Sequence, residues 1–412
     1  NSLKLRCSIQ KNKVMGQMEN NLSQRIDSID IFRAATMLLM IFVNDLWTLS
    51  EVPQWLLHKK SDVDGLGFAD AIFPAFLFIV GLSIPLAINQ REKKKCDSVS
   101  VIMHISMRTV ALVIMGLFMV NYKSLNPELI PISKNLWKIL MACGIFLVWM
   151  HYPSLSRVKK KQVLILQISG IVLLASLAII FRGGTTAEPE WMKVHWWGIL
   201  GAIGWAYLVA SLLYMLIRDR IIIMVTVVLL FHLLNIQEFQ FIEEIPILKF
   251  ITSSSRYALV MSGVLATTIF LKLRQKGQEK KFVFCLLTLG ALFLIYGFLM
   301  RPYWGGISKI RVTPSFTGIC VGISFLSFAI FHVLIDRCRV NKWASFIAPA
   351  GTSTLTCYLV PYLIYPVLVM LQVKLPDFLT TGVVGLVKSM AFAFFIIYLT
   401  GLLGKVNIKL KV

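Results

Sequence analysis

The sequence predicts an all-α, polytopic membrane protein of about twelve transmembrane helices, ten at the fewest, with both termini cytoplasmic. Three observations lead there. Hydrophobic residues make up 57% of the 412 residues and charged ones only 15%, outside the make-up of an ordinary soluble domain. Apolar runs of roughly 18–23 residues recur along the whole length, enough to cross a hydrocarbon core about 30 Å thick. The basic residues fall in the gaps between those runs. The strict alternation of a membrane β-barrel is absent from stretches such as "VLILQISGIVLLASLAIIF".

The apolar runs place helices in order at 29–48, 68–89, 104–122, 135–152, 163–181, 195–217, 220–234, 256–273, 282–300, 315–335, 347–371 and 379–404. The seventh is the shortest. Residues 1–28 form a polar lead, 29–404 a single transmembrane domain and 405–412 a basic tail. The lead carries no cleavable leader pattern, and Met15 or Met18 is the expected natural start.

Charge sets the direction. The connections "REKKK", "SRVKKK", "RDR", "RQKGQEKK" and "DRCRVNK", with the lead and the tail "KVNIKLKV", hold more than half of the 42 Lys and Arg. They alternate with the other set of connections, so they are expected to be cytoplasmic. Loops 49–67, 182–194, 235–255 and 301–314 then lie outside. The net charge of +22 reflects this distribution; it does not mark a nucleic-acid-binding face. The seven cysteines are scattered without pairs, and no disulfide is expected. No metal-ligand spacing appears either. The two halves show no repeat, which many secondary transporters do show.

Asn44, His58 and Asp70 converge on one end of the first helix pair. A carboxylate at the mouth of a membrane helix costs roughly 2.5–3.5 kcal/mol at mid-membrane, less near the interface, unless it is compensated. Asp70 as a simple helix cap and His58 as a solvated loop residue is one reading. A carboxylate beside an imidazole, fixing its tautomer for work as a base, is the other. Pro74 frees a backbone carbonyl in the first turns of that helix. His104, His151, His232 and His332 suit structural roles better.

The stretches "SIDIFRAATMLLMIFVND", the His58 loop and "GLGFADAIFPAFLFIVGLSIPLA" resemble the opening of the heparan-α-glucosaminide N-acetyltransferase family of transmembrane acyltransferases. The positions that carry the likeness are Asp30, Arg33, Asn44, His58, Ala69, Asp70, Phe73 and Pro74. "RPYWGGISKIRVTPSFTGIC" is similar to a second family segment through Ser308, Lys309, Thr313 and Ser315, and "HWWGILGAIGWAYLV" resembles the bacterial branch. Ala34 stands where the family has glycine.

The resemblance implies transfer of an acetyl group from cytosolic acetyl-CoA to an amino sugar such as glucosamine, or to a sugar hydroxyl, on the far side of a bacterial inner membrane. His58 with Asp70 would act as base, or His58 would carry the acetyl group itself, and Asn44 would donate to the oxyanion. Arg33 and Arg108 are the expected partners of the CoA phosphates, with Ser308 and Lys309 as further cofactor contacts. His195, Trp196 and Trp304 are candidates for stacking on the sugar, with an interfacial aromatic belt as the plainer reading. The family likeness also implies a homodimer embedded in the lipid bilayer. A multi-pass sugar transporter is the competing reading.

Overall fold

Each predicted apolar run overlaps helix in the computed structural model, which describes residues 26–152, 160–195, 198–241 and 254–411. The helices are α1 (Asp27–Asp45), α2 (Phe68–Lys93), α3 (Ser98–Ser124), α4 (Lys134–Trp149), α5 (Lys160–Ile180), α6 (Ile199–Ile217) and α7 (Ile221–Phe241). They continue with α8 (Ser254–Gln275), α9 (Lys280–Met300), α10 (Pro314–Phe331), α11 (Ala348–Thr352), α12 (Thr354–Leu359), α13 (Pro361–Met370) and α14 (Gly382–Lys405). Among the described residues, eight helices are long and apolar enough to cross a membrane: α2, α3, α5, α6, α8, α9, α10 and α14. The chain is an all-α, multi-pass membrane protein. A two-residue antiparallel ladder, β1 (Gly183–Gly184) with β2 (Pro189–Glu190), and isolated bridges such as Ser50 with Thr381 are the small departures among the described residues.

The sequence expectation of one helix over 347–371 is corrected. That run is three short helices, interrupted at Ser353 and again before Pro361. Pro361 has no N–H to return to the carbonyl of Cys357, so the ladder lapses there. Hydropathy alone is blind to such breaks. By contrast α2 runs unbroken through Pro74 and Pro85.

Two close approaches fix the frame. A Cβ on Gly81 of α2 would lie 1.9 Å from the carbonyl of Val260, and one on Gly263 of α8 would lie 2.0 Å from that of Phe78. The backbones therefore touch where only glycine fits, a packing mode suited to membranes, where close contact replaces the hydrophobic drive. The Thr267 hydroxyl adds a 2.8 Å bond to the carbonyl of Leu82.

Buried polar clasps hold the helix ends. Asp45, 2% exposed at the C-terminus of α1, takes 2.8 Å and 2.6 Å bonds from Lys388 Nζ and Ser389 Oγ of α14. Tyr365 of α13 donates to its other oxygen. At the opposite end of α1, Asp336 accepts from the Ser28 hydroxyl at 2.6 Å and contacts His332 at 2.7 Å. His332 begins a turn of π-helix, His332–Arg337, that ends the α10 rod.

Candidate functional site

The loop between α1 and α2 is stitched to the first turn of α2 by its own backbone. Phe68 N–H donates to Trp55 at 2.7 Å and Ala69 N–H to Leu56 at 3.2 Å. This folds His58 back over the helix mouth. His58 Nδ1 lies 2.7 Å from Asp70 Oδ1. The other carboxylate oxygen accepts the backbone N–H groups of Lys59 and Gly67, each at 3.1 Å.

Asp70 is therefore both things the sequence allowed. One oxygen caps α2 through Gly67, and the other engages the imidazole. Its side chain is 1% exposed, whereas that of His58 is 53% exposed. A carboxylate only accepts, so Nδ1 carries the hydrogen and Nε2 is left as the basic nitrogen.

A third group completes the cluster from the loop between α9 and α10. Lys309 Nζ stands 3.1 Å from His58 Nδ1 and 3.5 Å from Asp70 Oδ1. With Nδ1 donating to Asp70, the lysine acts on the carboxylate and not as a donor to the ring. Burial pushes the Lys309 amine below the usual lysine range, and Asp70 offsets part of that push.

Asp64 docks the two loops. It accepts from Ile307 N–H at 2.7 Å and Arg301 Nε at 2.9 Å, while Gly65 N–H donates to the Ile307 carbonyl at 3.0 Å. The Ile307 hydrogen bond, with Arg301 beside it, holds the Asp64 carboxyl below its ordinary range. Gly306 sits at φ +77, and a Cβ there would meet the Asp64 carboxyl carbon at 2.6 Å. Sequence reasoning passed over Asp64; the Gly-Gly pair in "WGGISK" was its only local signal.

The remaining expected residues divide. Asn44 is exposed and outside the hydrogen bonds of the His58–Asp70 pair. Ser308 is buried and serves its own loop, its N–H donating to Thr313 Oγ1 at 3.0 Å. Trp304 closes the turn after α9, its N–H on Met300. His195 is half-buried just before α6, and Trp196 lies outside the described residues. The four expected cofactor contacts do not form one group, since Lys309 and Ser308 belong to the His58 end.

Arg33 and Arg108 do share a cavity, of about 320 Å³. It runs between α1, α2, α3, α6 and the 351–355 segment, with Lys411 also in its wall. Arg33 is held by Asp30 at 2.9 Å and Ser83 at 2.6 Å. Arg108 stacks 4.7 Å from the Tyr207 ring centroid, and its buried Nε has no hydrogen-bond partner among the described residues. Arg91, Arg108 and Lys411 all act on His104, so positive charge gathers there. Neither Tyr207 nor Lys411 was singled out from the sequence.

The family described as "Domain of unknown function (DUF5009)" matches residues 25–236, just over half of the chain. The human heparan-alpha-glucosaminide N-acetyltransferase is 33% identical over 100 residues, which is 24% of this chain and 14% of that protein. The mouse protein of the same name is 32% identical over 99 residues, again 24% of this chain and 14% of the relative. The similarity thus spans a small part of each relative's length.

Proposed function

The chain belongs to the DUF5009 family, and on that premise we propose that it is a membrane acyltransferase, moving an acetyl group from acetyl-CoA to an amine or hydroxyl of a sugar. One observation carries the reading. The cavity that holds Arg33 and Arg108 extends along α2 as far as Phe76, six residues, or about 9 Å, from Asp70. A donor whose phosphates sit among Arg108, Lys411 and Arg91 would thread its arm up that cavity toward the His58 end. Arg33, already bound to Asp30 and Ser83, would brace the wall more than grip phosphate. The similarity to N-acetyltransferases in man and mouse supports the same chemistry.

The acceptor must lose a proton as it attacks the thioester carbonyl. His58 Nε2 is the base for that proton, and the Asp70 carboxylate favours the imidazolium that results. The tetrahedral intermediate then expels the CoA sulfur, which takes the proton back from Nε2 and leaves as the thiol. Alternatively Nε2 attacks first, CoA leaves as the thiolate, and the acetyl-imidazole passes its acetyl group to the acceptor, whose proton goes to that sulfur. In either course Lys309 sets positive charge beside the dyad, where the oxyanion of the tetrahedral intermediate gains from it. The positive-inside distribution supports a donor bound from the cytoplasm and a His58 end facing outside, and the likeness of "HWWGILGAIGWAYLV" to the bacterial branch supports a bacterial inner-membrane home. The family likeness supports a homodimer. A transporter reading is not favoured, because the polar cluster sits at a helix mouth.

The test is transfer of labelled acetyl from acetyl-CoA to a panel of amino sugars by the purified full chain. Labelled product with glucosamine-type acceptors is expected. No product with any acceptor, together with no acetyl-CoA binding, would overturn the reading.

A further inference from the structure

The α1–α2 hairpin has two working faces. The cavity with the arginines takes one: Arg33, Met37 and Met40 of α1, then Phe76, Val80 and Ser83 of α2. A second cavity, of about 450 Å³, takes the other. Its walls are Phe32, Thr36 and Leu39 of α1, Ala71 and Ala75 of α2, and Ser327 of α10. Each set repeats at three- and four-residue steps, so each is one stripe of a helix.

This second cavity is an open apolar groove that tops out at the site. Its upper wall is the turn Leu66–Phe68. Gly67 in that turn gives its N–H to Asp70, and Ala71 is the residue after Asp70. Trp55, 63% exposed, stands over the mouth, its ring 6.5 Å from that of Phe68. From the mouth the groove descends along apolar helix surface to Phe331, at the far end of α10. Small residues at Ala35, Ala71, Ala75 and Ser327 make the room.

We propose that this groove seats the hydrocarbon chain of a lipid-linked acceptor, so that the sugar at its head is presented to His58 from the side opposite the donor cavity. The proposal rests on the acyltransferase reading and names the class of its acceptor. A two-substrate transfer needs two approaches to one base. The groove shares Gly67 with the dyad and opens sideways from apolar helices, the approach a water-soluble sugar does not use. A chain that fills it removes apolar surface from competition with bulk lipid only if its shape fits, so chain length is what the groove reads.

The experiment compares methyl and dodecyl glucosaminide, which share one amine, with the full chain in lipid nanodiscs. Dodecyl glucosaminide should be acetylated with at least a tenfold higher kcat/KM. Ser327→Phe, which plugs the groove far from the dyad and the donor cavity, should lower kcat/KM at least tenfold for the dodecyl acceptor alone. A dodecyl glucosaminide bearing a diazirine at its tail tip should label α1 and α10 around Ser327, and Ser327→Phe should abolish that labelling. Methyl and dodecyl acceptors used equally by both proteins would overturn the groove proposal and leave the acyltransferase reading standing. Labelling spread over all lipid-facing helices would overturn it too, as would no labelling, the result if a second copy covers the groove. Groove labelling without any acetyl transfer would keep the chain seat and sink the transfer reaction.

Discussion

Replacing His58 by Ala should abolish transfer with little loss of stability, because its side chain is 53% exposed and buries little apolar area. Asp70→Asn is more telling. The amide oxygen can still accept from Gly67 and Lys59, so the cap persists, but the amide nitrogen then faces His58 Nδ1. That imposes the opposite tautomer and should cost turnover about 10²–10⁴-fold, with acetyl-CoA binding unchanged. The double variant should be no worse than His58→Ala, since the two act as one unit; additive losses in single-turnover kinetics would count against the dyad. Asp64 offers a pH test with a defined sign. Its folded value lies below the ordinary 3.8, so its hold on the second loop is complete above that value and is lost as pH falls through the lower one. Spin labels at the exposed positions Asp62 and Tyr303 should give one narrow distance at neutral pH, broadening in acid and at every pH in Asp64→Ala. His58 and Asp70 were legible because twelve residues and one tight hairpin separate them. Lys309 was not legible by spacing, since it joins them from 251 residues away along the chain, and that Asn44 is exposed while Asp45 is buried was not legible because helix phase at an end cannot be read to within one residue.

At the scale of helices, the sequence located nearly every rod and missed what locks them. The neighbour of Asn44, Asp45, is the buried one, and its partner Lys388 stands on the last helix. Lys388→Met leaves that carboxylate in place without its cation and should cost about 3–5 kcal/mol, less whatever Ser389 and Tyr365 retain. Asp45→Asn with Lys388→Met should recover most of it. Thermal unfolding in detergent checks both, and equal melting of the two variants would argue against a coupled pair. Gly263→Leu should be worse than an ordinary overpacked site, beyond about 1–3 kcal/mol, because its Cβ meets the Phe78 carbonyl at 2.0 Å and backbone cannot swing aside. Hydropathy could not reveal these contacts. A glycine in an apolar run looks the same whether it faces lipid or another backbone.

For the molecule as a whole, the alternation of basic loops makes the direction testable. A cysteine placed in 182–194 should react with an impermeant maleimide on intact cells, and one in 276–279 only after lysis; the reverse would invert the direction of transfer. The clasp between Asp45 and Lys388 also has a consequence in time. The two residues are 343 positions apart in the chain. At about 5–20 residues per second, a ribosome that has delivered α1 needs roughly 17–70 s more to deliver the cation its carboxylate waits for. During that interval the first helix carries an unneutralised acid at its end, and the dyad beside it has no Lys309 for most of the wait. The hairpin can acquire its working shape only once α14 has been made, and a chain cut short before α14 should be recognised and degraded as unassembled even though every helix it contains is intact.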